Sequence, residues 1–154
     1  MEAAEARQLR RVADYQFGPG AGRALVPAEE SLTVYRSSSG RPQQVVAQAG
    51  RLVTYGVDGR FRLGIEGGER LQAALDAPRH RVVVGDDSEP YVREGRNAFA
   101  KFVLSADPGL RPGDEALVVH HGGALLAVGR AELAGEGMTD FDTGMAVKVR
   151  DTSE

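Results

Sequence analysis

The sequence predicts an α+β protein in two parts: a helix with an antiparallel meander, followed by a compact, mostly β pseudo-barrel. Three observations carry this. Leu9, Val12, Ala13 and Phe17 recur at helical spacing over residues 3–17. Short runs of β-branched and aromatic residues, separated by glycine-rich turns, follow through both halves. A second helical pattern at 69–77 is stopped by Pro78 and marks the break between domains 1–78 and 79–154.

The first helix ends at Gly18-Pro19-Gly20-Ala21-Gly22. This run resembles a phosphate-cradling loop only superficially, because a helix precedes it where a strand is needed. It reads as a turn that reverses the chain. Leu32-Thr33-Val34-Tyr35, Gln44-Val45-Val46-Ala47 and Leu52-Val53-Thr54-Tyr55 are strands. Asp58-Gly59 is a hairpin signal before Phe61-Arg62-Leu63. In the helix at 69–77, Leu71, Ala74 and Leu75 face inward.

The second half opens with the strand Arg81-Val82-Val83-Val84 and an acidic loop holding Asp86, Asp87 and Glu89. A helix over 90–99, with Tyr91, Val92 and Phe99 inward, and a strand over 101–105 are expected next. The turn-rich segment 107–114 leads to a hairpin of 115–120 and 124–132 around His121-Gly122-Gly123. A polar excursion at 134–142 precedes the last strand, 144–150.

Composition narrows the function. The chain has 154 residues, 42% of them hydrophobic, and no cysteine. Thiolate zinc sites, disulfides and cysteine nucleophiles are therefore excluded, which fits a reducing, cytoplasmic setting. The start is acidic and lacks an apolar run, so no signal peptide is expected, and no segment is long and apolar enough for a membrane span. The net charge of −3 argues against indiscriminate nucleic-acid binding but leaves room for a local basic patch. Apart from Lys101 and Lys148 the cations are arginines, suited to bidentate contacts with phosphate or carboxylate.

The tightest grouping of such cations lies in Arg93-Glu94-Gly95-Arg96-Asn97-Ala98-Phe99-Ala100-Lys101-Phe102. Gly95 lacks a Cβ and lets another backbone come close, and Arg96 and Lys101 supply phosphate donors. Taken locally, an ordinary connection with solvated charges is the stronger reading of the same residues. His120-His121 is a metal pair only in appearance: adjacent residues on a strand point to opposite faces, and His80 is distant in sequence. Asp86, Asp87 and Glu89 follow no calcium-loop pattern and read as solvated charge at a helix start. Ser37 to Ser39 have no partner base.

Arg81-Val82-Val83-Val84, Gly95 to Val103, Arg111-Pro112-Gly113-Asp114-Glu115, Leu126 to Ala131 and Gly144 to Arg150 follow in the order and spacing of a PUA domain, which the second half resembles. The first half, through Asp14-Tyr15-Gln16-Phe17-Gly18, Gly20-Ala21-Gly22 and Asp58-Gly59-Arg60-Phe61, is similar to the segment before the PUA domain in archaeal archaeosine tRNA-guanine transglycosylases. The resemblance implies a module that binds the acceptor region of tRNA or another structured RNA, accessory to tRNA modification such as archaeosine base exchange. It implies RNA contacts from Arg93, Gly95, Arg96, Asn97, Phe99, Lys101, Lys148 and Arg150.

The 154 residues hold no catalytic barrel and no cysteines for that family's zinc cluster, and no segment ahead of residue 1 is expected to supply its nucleophilic aspartate. It is therefore expected to be no enzyme by itself: no catalytic residue, metal or cofactor is assigned, and a separate catalytic tRNA-modifying subunit is the expected partner. Two other classes stay open, a small metal-dependent enzyme using the acidic loop 86–89 and a β domain that binds a protein or small ligand.

Overall fold

The apolar stripe of the first segment forms helix α1, Ala3–Phe17, which buries Leu9, Ala13 and Phe17 at successive turns of one face. The computed structural model describes residues 1–153 and divides into two units, Met1–Leu75 and Asp76–Glu154, just ahead of the expected break after residue 78.

In the first unit α1 and a short helix α2, Ala21–Leu25, accompany a four-stranded antiparallel meander. Its strands are β1 (Thr33–Arg36), β2 (Pro42–Ala47), β3 (Gly50–Tyr55) and β4 (Phe61–Leu63), hydrogen-bonded in sequence order. Alternate residues face the core: Val45 and Ala47 on β2, and Phe61 and Leu63 on β4, are buried while Arg62 is exposed. The Gln16 amide extends the pairing of β4. Its Nε2 donates to the Phe61 carbonyl at 2.8 Å, and its Oε1 accepts the Phe61 N–H at 2.7 Å. A side chain thus satisfies both backbone groups of one residue.

Two helices of this unit differ from expectation. Helix α2 begins inside the supposed turn at 18–22, because Asp14 Oδ1 accepts the Gly22 N–H at 2.7 Å and Arg10 donates to the Val26 carbonyl at 2.9 Å. A five-residue helix is marginal alone, and here α1 satisfies both of its ends. Helix α3, Ile65–Ala74, starts ahead of the predicted 69 and ends before 77. Gly67 and Gly68 look like breakers in sequence. In the fold, α3 crosses β3 so closely that a Cβ on Gly67 would sit against the Leu52 carbonyl, so glycine is the residue that permits the packing.

The second unit is a nearly closed mixed sheet. Its strands are β5 (Arg81–Val84), β6 (Ala98–Phe99), β7 (Val103–Ala106), β8 (Glu115–His120), β9 (Leu125–Ala131) and β10 (Met145–Thr152), ordered β6-β10-β9-β8-β5-β7. All neighbours are antiparallel except β5 and β8. Val82, Val84, Val118, Leu126, Met138 and Val147 share its core with Val92 from the one-turn helix α4, Glu89–Arg93. The polar excursion forms a 3-10 segment, Gly135–Asp140, that buries Met138.

The expected helix over 90–99 is much shorter. The chain leaves α4 through Glu94 and Gly95, Arg96 N–H returns to the Tyr91 carbonyl at 3.0 Å, and Ala98–Phe99 pairs with β10 instead. The expected strand 101–105 begins as a 3-10 turn, Ala100–Phe102, and turns into β7 at Val103.

Strand β10 bulges between Val149 and Asp151. Arg150, the extra residue, makes a two-pronged ion pair with Glu115 on β8, at 2.6 and 2.8 Å. Glu115 is only 5% exposed. An Arg150→Met variant should strip the two-pronged pair from that buried carboxylate, at a cost of roughly 3 kcal/mol. Arg130→Met, which breaks a half-exposed pair with Glu132, should cost less than about 1 kcal/mol. Native-state hydrogen exchange of β8 and β9 amides measures both, and equal protection in the two variants would refute the assignment.

Candidate nucleic-acid interface

The segment that enters and leaves α4 shapes the candidate surface. Pro90 sits in the first turn of the helix, and Glu89 pairs with Arg93 one turn later at 3.0 Å. Val92 is buried and anchors the helix to the barrel, which leaves Tyr91 half-exposed on the outer side. The Arg96 guanidinium lies 5.6 Å from the centre of the Tyr91 ring, within range of a cation–π contact. Its nearest carboxylate, Glu94, is 3.9 Å away, and both side chains are about two-thirds exposed. Arg96 therefore remains available to an incoming anion.

Ser88, Tyr91, Val92, Arg96, Asn97, Phe99 and Phe102 line a small pocket of about 100 Å³ at this surface. Phe99 is 45% exposed, and Lys101 Nζ stands 5.0 Å from the centre of the Phe102 ring. The pocket thus offers two exposed aromatic faces, one guanidinium and one ammonium at its edge. Such a set suits stacking on an unpaired base beside a phosphate.

The eight residues expected here separate into groups. Arg96, Asn97 and Phe99 line the pocket, and Lys101 reaches its edge through Phe102. Arg93 is engaged with Glu89. Asn97 Oδ1 accepts the Val149 N–H at 2.9 Å, so that oxygen ties the loop to β10. Lys148 is exposed on β10 opposite Arg130, outside the pocket lining. Arg150 is drawn to Glu115, so it is held by the sheet and not offered alongside Arg96 and Lys101. Gly95 has φ +96° and no atom within 4 Å of where a Cβ would stand.

The sequence reading did not single out Ser88 or Phe102 for the site, and it placed Tyr91 and Phe99 inward. A ten-residue helix would bury both aromatics. The observed single turn buries Val92 alone. The interleaving of Tyr91, Arg96, Phe99, Lys101 and Phe102 was the available signal.

A second cluster lies beside the start of α4. His120 Nε2 and Asp86 Oδ1 are 2.6 Å apart, and His121 Nε2 is 3.5 Å from the same oxygen. The hydrogen bond from His120 holds the Asp86 carboxyl below its ordinary range. The expectation that the two histidines diverge fails because β8 ends at His120. His121 belongs to the turn, where alternation no longer applies, and the ring centres are 4.1 Å apart.

Comparison with known proteins agrees with this architecture. Residues 7–78 match the family described as the patch-forming domain C2 of tRNA-guanine transglycosylase, and residues 80–152 match the PUA domain. The chain is a C2 patch-forming domain followed by a PUA domain. It is 48% identical over 151 residues to the tRNA-guanine(15) transglycosylase of Thermococcus kodakarensis, covering 97% of this chain and 26% of that protein. The corresponding protein of Pyrococcus abyssi is 48% identical over 145 residues, covering 94% of this chain and 24% of its own length. The chain thus spans about a quarter of the length of these curated relatives, in their C-terminal part.

Two solved structures share the fold. A hypothetical protein of Pyrococcus horikoshii superposes with a TM-score of 0.72 at 20% identity, covering 99% of this chain and 92% of the other. A conserved PUA domain protein of Thermoplasma acidophilum does so with a TM-score of 0.67 at 22% identity, covering 99% and 91%. Among the described residues, no helix is long and apolar enough to cross a membrane.

The open space beside Gly95 separates strain from clash within the PUA domain. Gly95→Val should lose about 1–2 kcal/mol from its left-handed backbone alone. Gly95→Asn should lose less, because asparagine tolerates that region. Equal losses in the two variants, measured by chemical denaturation, would show that the backbone conformation is not what selects glycine.

Proposed function

We propose that this chain grips structured RNA, the acceptor region of tRNA, through the α4 face of its PUA domain and contributes no chemical step of its own. The observation that carries the reading is the Tyr91–Arg96–Phe99 pocket with Lys101 at its edge, built from side chains suited to holding a phosphate and an unstacked base. Arg96, Asn97, Phe99 and Lys101 are the direct contacts. Lys148 extends the surface, while Arg93, Gly95 and Arg150 shape it from behind.

Recognition rests on the shape of a helical stem with a single-stranded end. An A-form stem shows its wide minor groove, 2′-hydroxyls and phosphates to side chains, and hides its major groove. With 6% aromatic residues and no tryptophan, the chain has no long stacking platform, and two exposed rings accommodate one or two nucleotides. The naming of its relatives as tRNA-guanine(15) transglycosylases supports a role in tRNA modification. Holding the stem would assist a catalytic subunit by orienting the substrate, which converts an encounter into a positioned reaction.

Binding is tested by titrating tRNA, poly-uridine and a DNA duplex of equal length across a salt series. The tRNA should bind most tightly. The Arg96→Gln/Lys101→Gln double variant should weaken it and lower the salt slope by about one unit or less per lost contact. Unchanged affinity and slope would move the site elsewhere. The accessory role is tested by adding the chain in trans to a transglycosylase catalytic subunit that lacks its own RNA-gripping domain. A lower KM or faster base exchange is expected, and base exchange by this chain alone would overturn the non-catalytic reading.

A further inference from the structure

The acidic loop after β5 and the turn after β8 meet in a way that the RNA-binding surface does not use. Asp86 Oδ1, His120 Nε2 and His121 Nε2 converge there, with ligand atoms that all lie within 4.8 Å of one another. Glu89 Oε1 stands 3.9 Å from His120 Nε2. Arg93 donates twice to the other oxygen of Glu89, which orients the carboxylate and leaves Oε1 on the side of the histidines.

We propose that Asp86, His120 and His121, with Glu89 as a fourth donor, bind one divalent transition-metal ion of the zinc class. Donors held about 2.1 Å from a tetrahedral ion are about 3.4 Å apart. The His121–Asp86 and His120–Glu89 separations, 3.5 and 3.9 Å, are already close to that. The His120–Asp86 pair, hydrogen-bonded at 2.6 Å, must open to admit the ion, and Glu89, outside the compact group of three, must close on it. Two imidazoles and two carboxylates favour zinc, nickel or cobalt over magnesium or calcium, which take all-oxygen sets.

Two features set how the ion enters. The His120 ring is 16% exposed, whereas Asp86 is 80% exposed, so the site has a fixed inner donor and an open outer one. Without metal, His120 Nδ1 accepts the Gly122 N–H at 3.0 Å, which leaves the ring proton on Nε2 for Asp86. Loading moves that proton to Nδ1 through solvent and turns the Gly122 amide away, with no net proton released from the ring. The glycine pair at 122–123 gives the turn the freedom to do so. The bound ion would tie the β8–β9 turn to the loop that enters α4.

The test uses the tag-free full chain with zinc chloride, by calorimetry and equilibrium dialysis, and with cobalt chloride for its visible absorption. One ion per chain with an affinity on the order of micromolar is expected, and zinc should raise the Tm of the wild type. His121→Asn and Asp86→Asn should each weaken binding at least tenfold and abolish the Tm shift. Since both side chains are at least half-exposed, circular dichroism should show both variants folded. His80→Asn, a histidine outside the cluster, should bind as the wild type does. No binding at about 100 μM zinc, equal competition by magnesium, or unchanged affinity in both ligand variants would overturn the proposal.

Discussion

The PUA domain depends on burying one carboxylate. Glu115 opens a strand whose next four residues are buried and apolar, and a lone ionised group there would be costly. Arg150 meets it with two hydrogen bonds, and the geometry requires β10 to bulge at that residue. Beside the bulge, the Val149 N–H is taken by Asn97. The pair that neutralises the core therefore also sets where the loop after α4 attaches to the sheet. Arg96 and Phe99, on either side of Asn97, are placed by that attachment.

The same competition between carboxylates and solvent decides which cations remain for a ligand. Arg93 answers Glu89, Arg130 answers Glu132, and Arg150 answers Glu115. In the first unit Arg36 holds the Glu5 carboxyl below its usual range, and Arg70 does the same for Glu30, in both cases chiefly by hydrogen bonding. The half-exposed Arg130–Glu132 pair contributes less than about 1 kcal/mol, unlike the pair that holds the buried Glu115. All of these pairs also act on the field. Once they are discounted, Arg96 and Lys101 are left beside α4 for the RNA contact proposed above, in a chain of net charge −3.

Much of the fold was legible because it rests on local periodicity. The stripe Leu9, Ala13, Phe17 has one helical solution, and the runs at 33–36, 50–55, 81–84 and 115–120 alternate or stay apolar as strands do. What was missed depends on partners distant in sequence. Helix α2 is capped by Asp14 and Arg10 from α1, and the glycines of α3 are explained only by the β3 backbone they cross. The overlong helix at 90–99 had a sound apolar pattern. It was cut short because Ala98 and Phe99 find a strand partner in β10, forty-odd residues away.

For the candidate site, sequence alone determined that Arg96, Asn97, Phe99 and Lys101 belong together, because they are neighbours in one short segment and no fold can separate them far. It also determined the absence of thiolate chemistry, since composition is independent of folding. Only the tertiary structure decided which cations are free and which are neutralised. Arg150 and Arg96 are alike as residues, and burial of Glu115 distinguishes them. Only the structure could place Asp86 against His120 and His121. The parallel pairing of β5 with β8 brings Val84 opposite His120, so that two loops more than thirty residues apart open at the same end of the sheet. Strand pairing is a long-range agreement between backbones, and no local pattern encodes where two strand ends will meet.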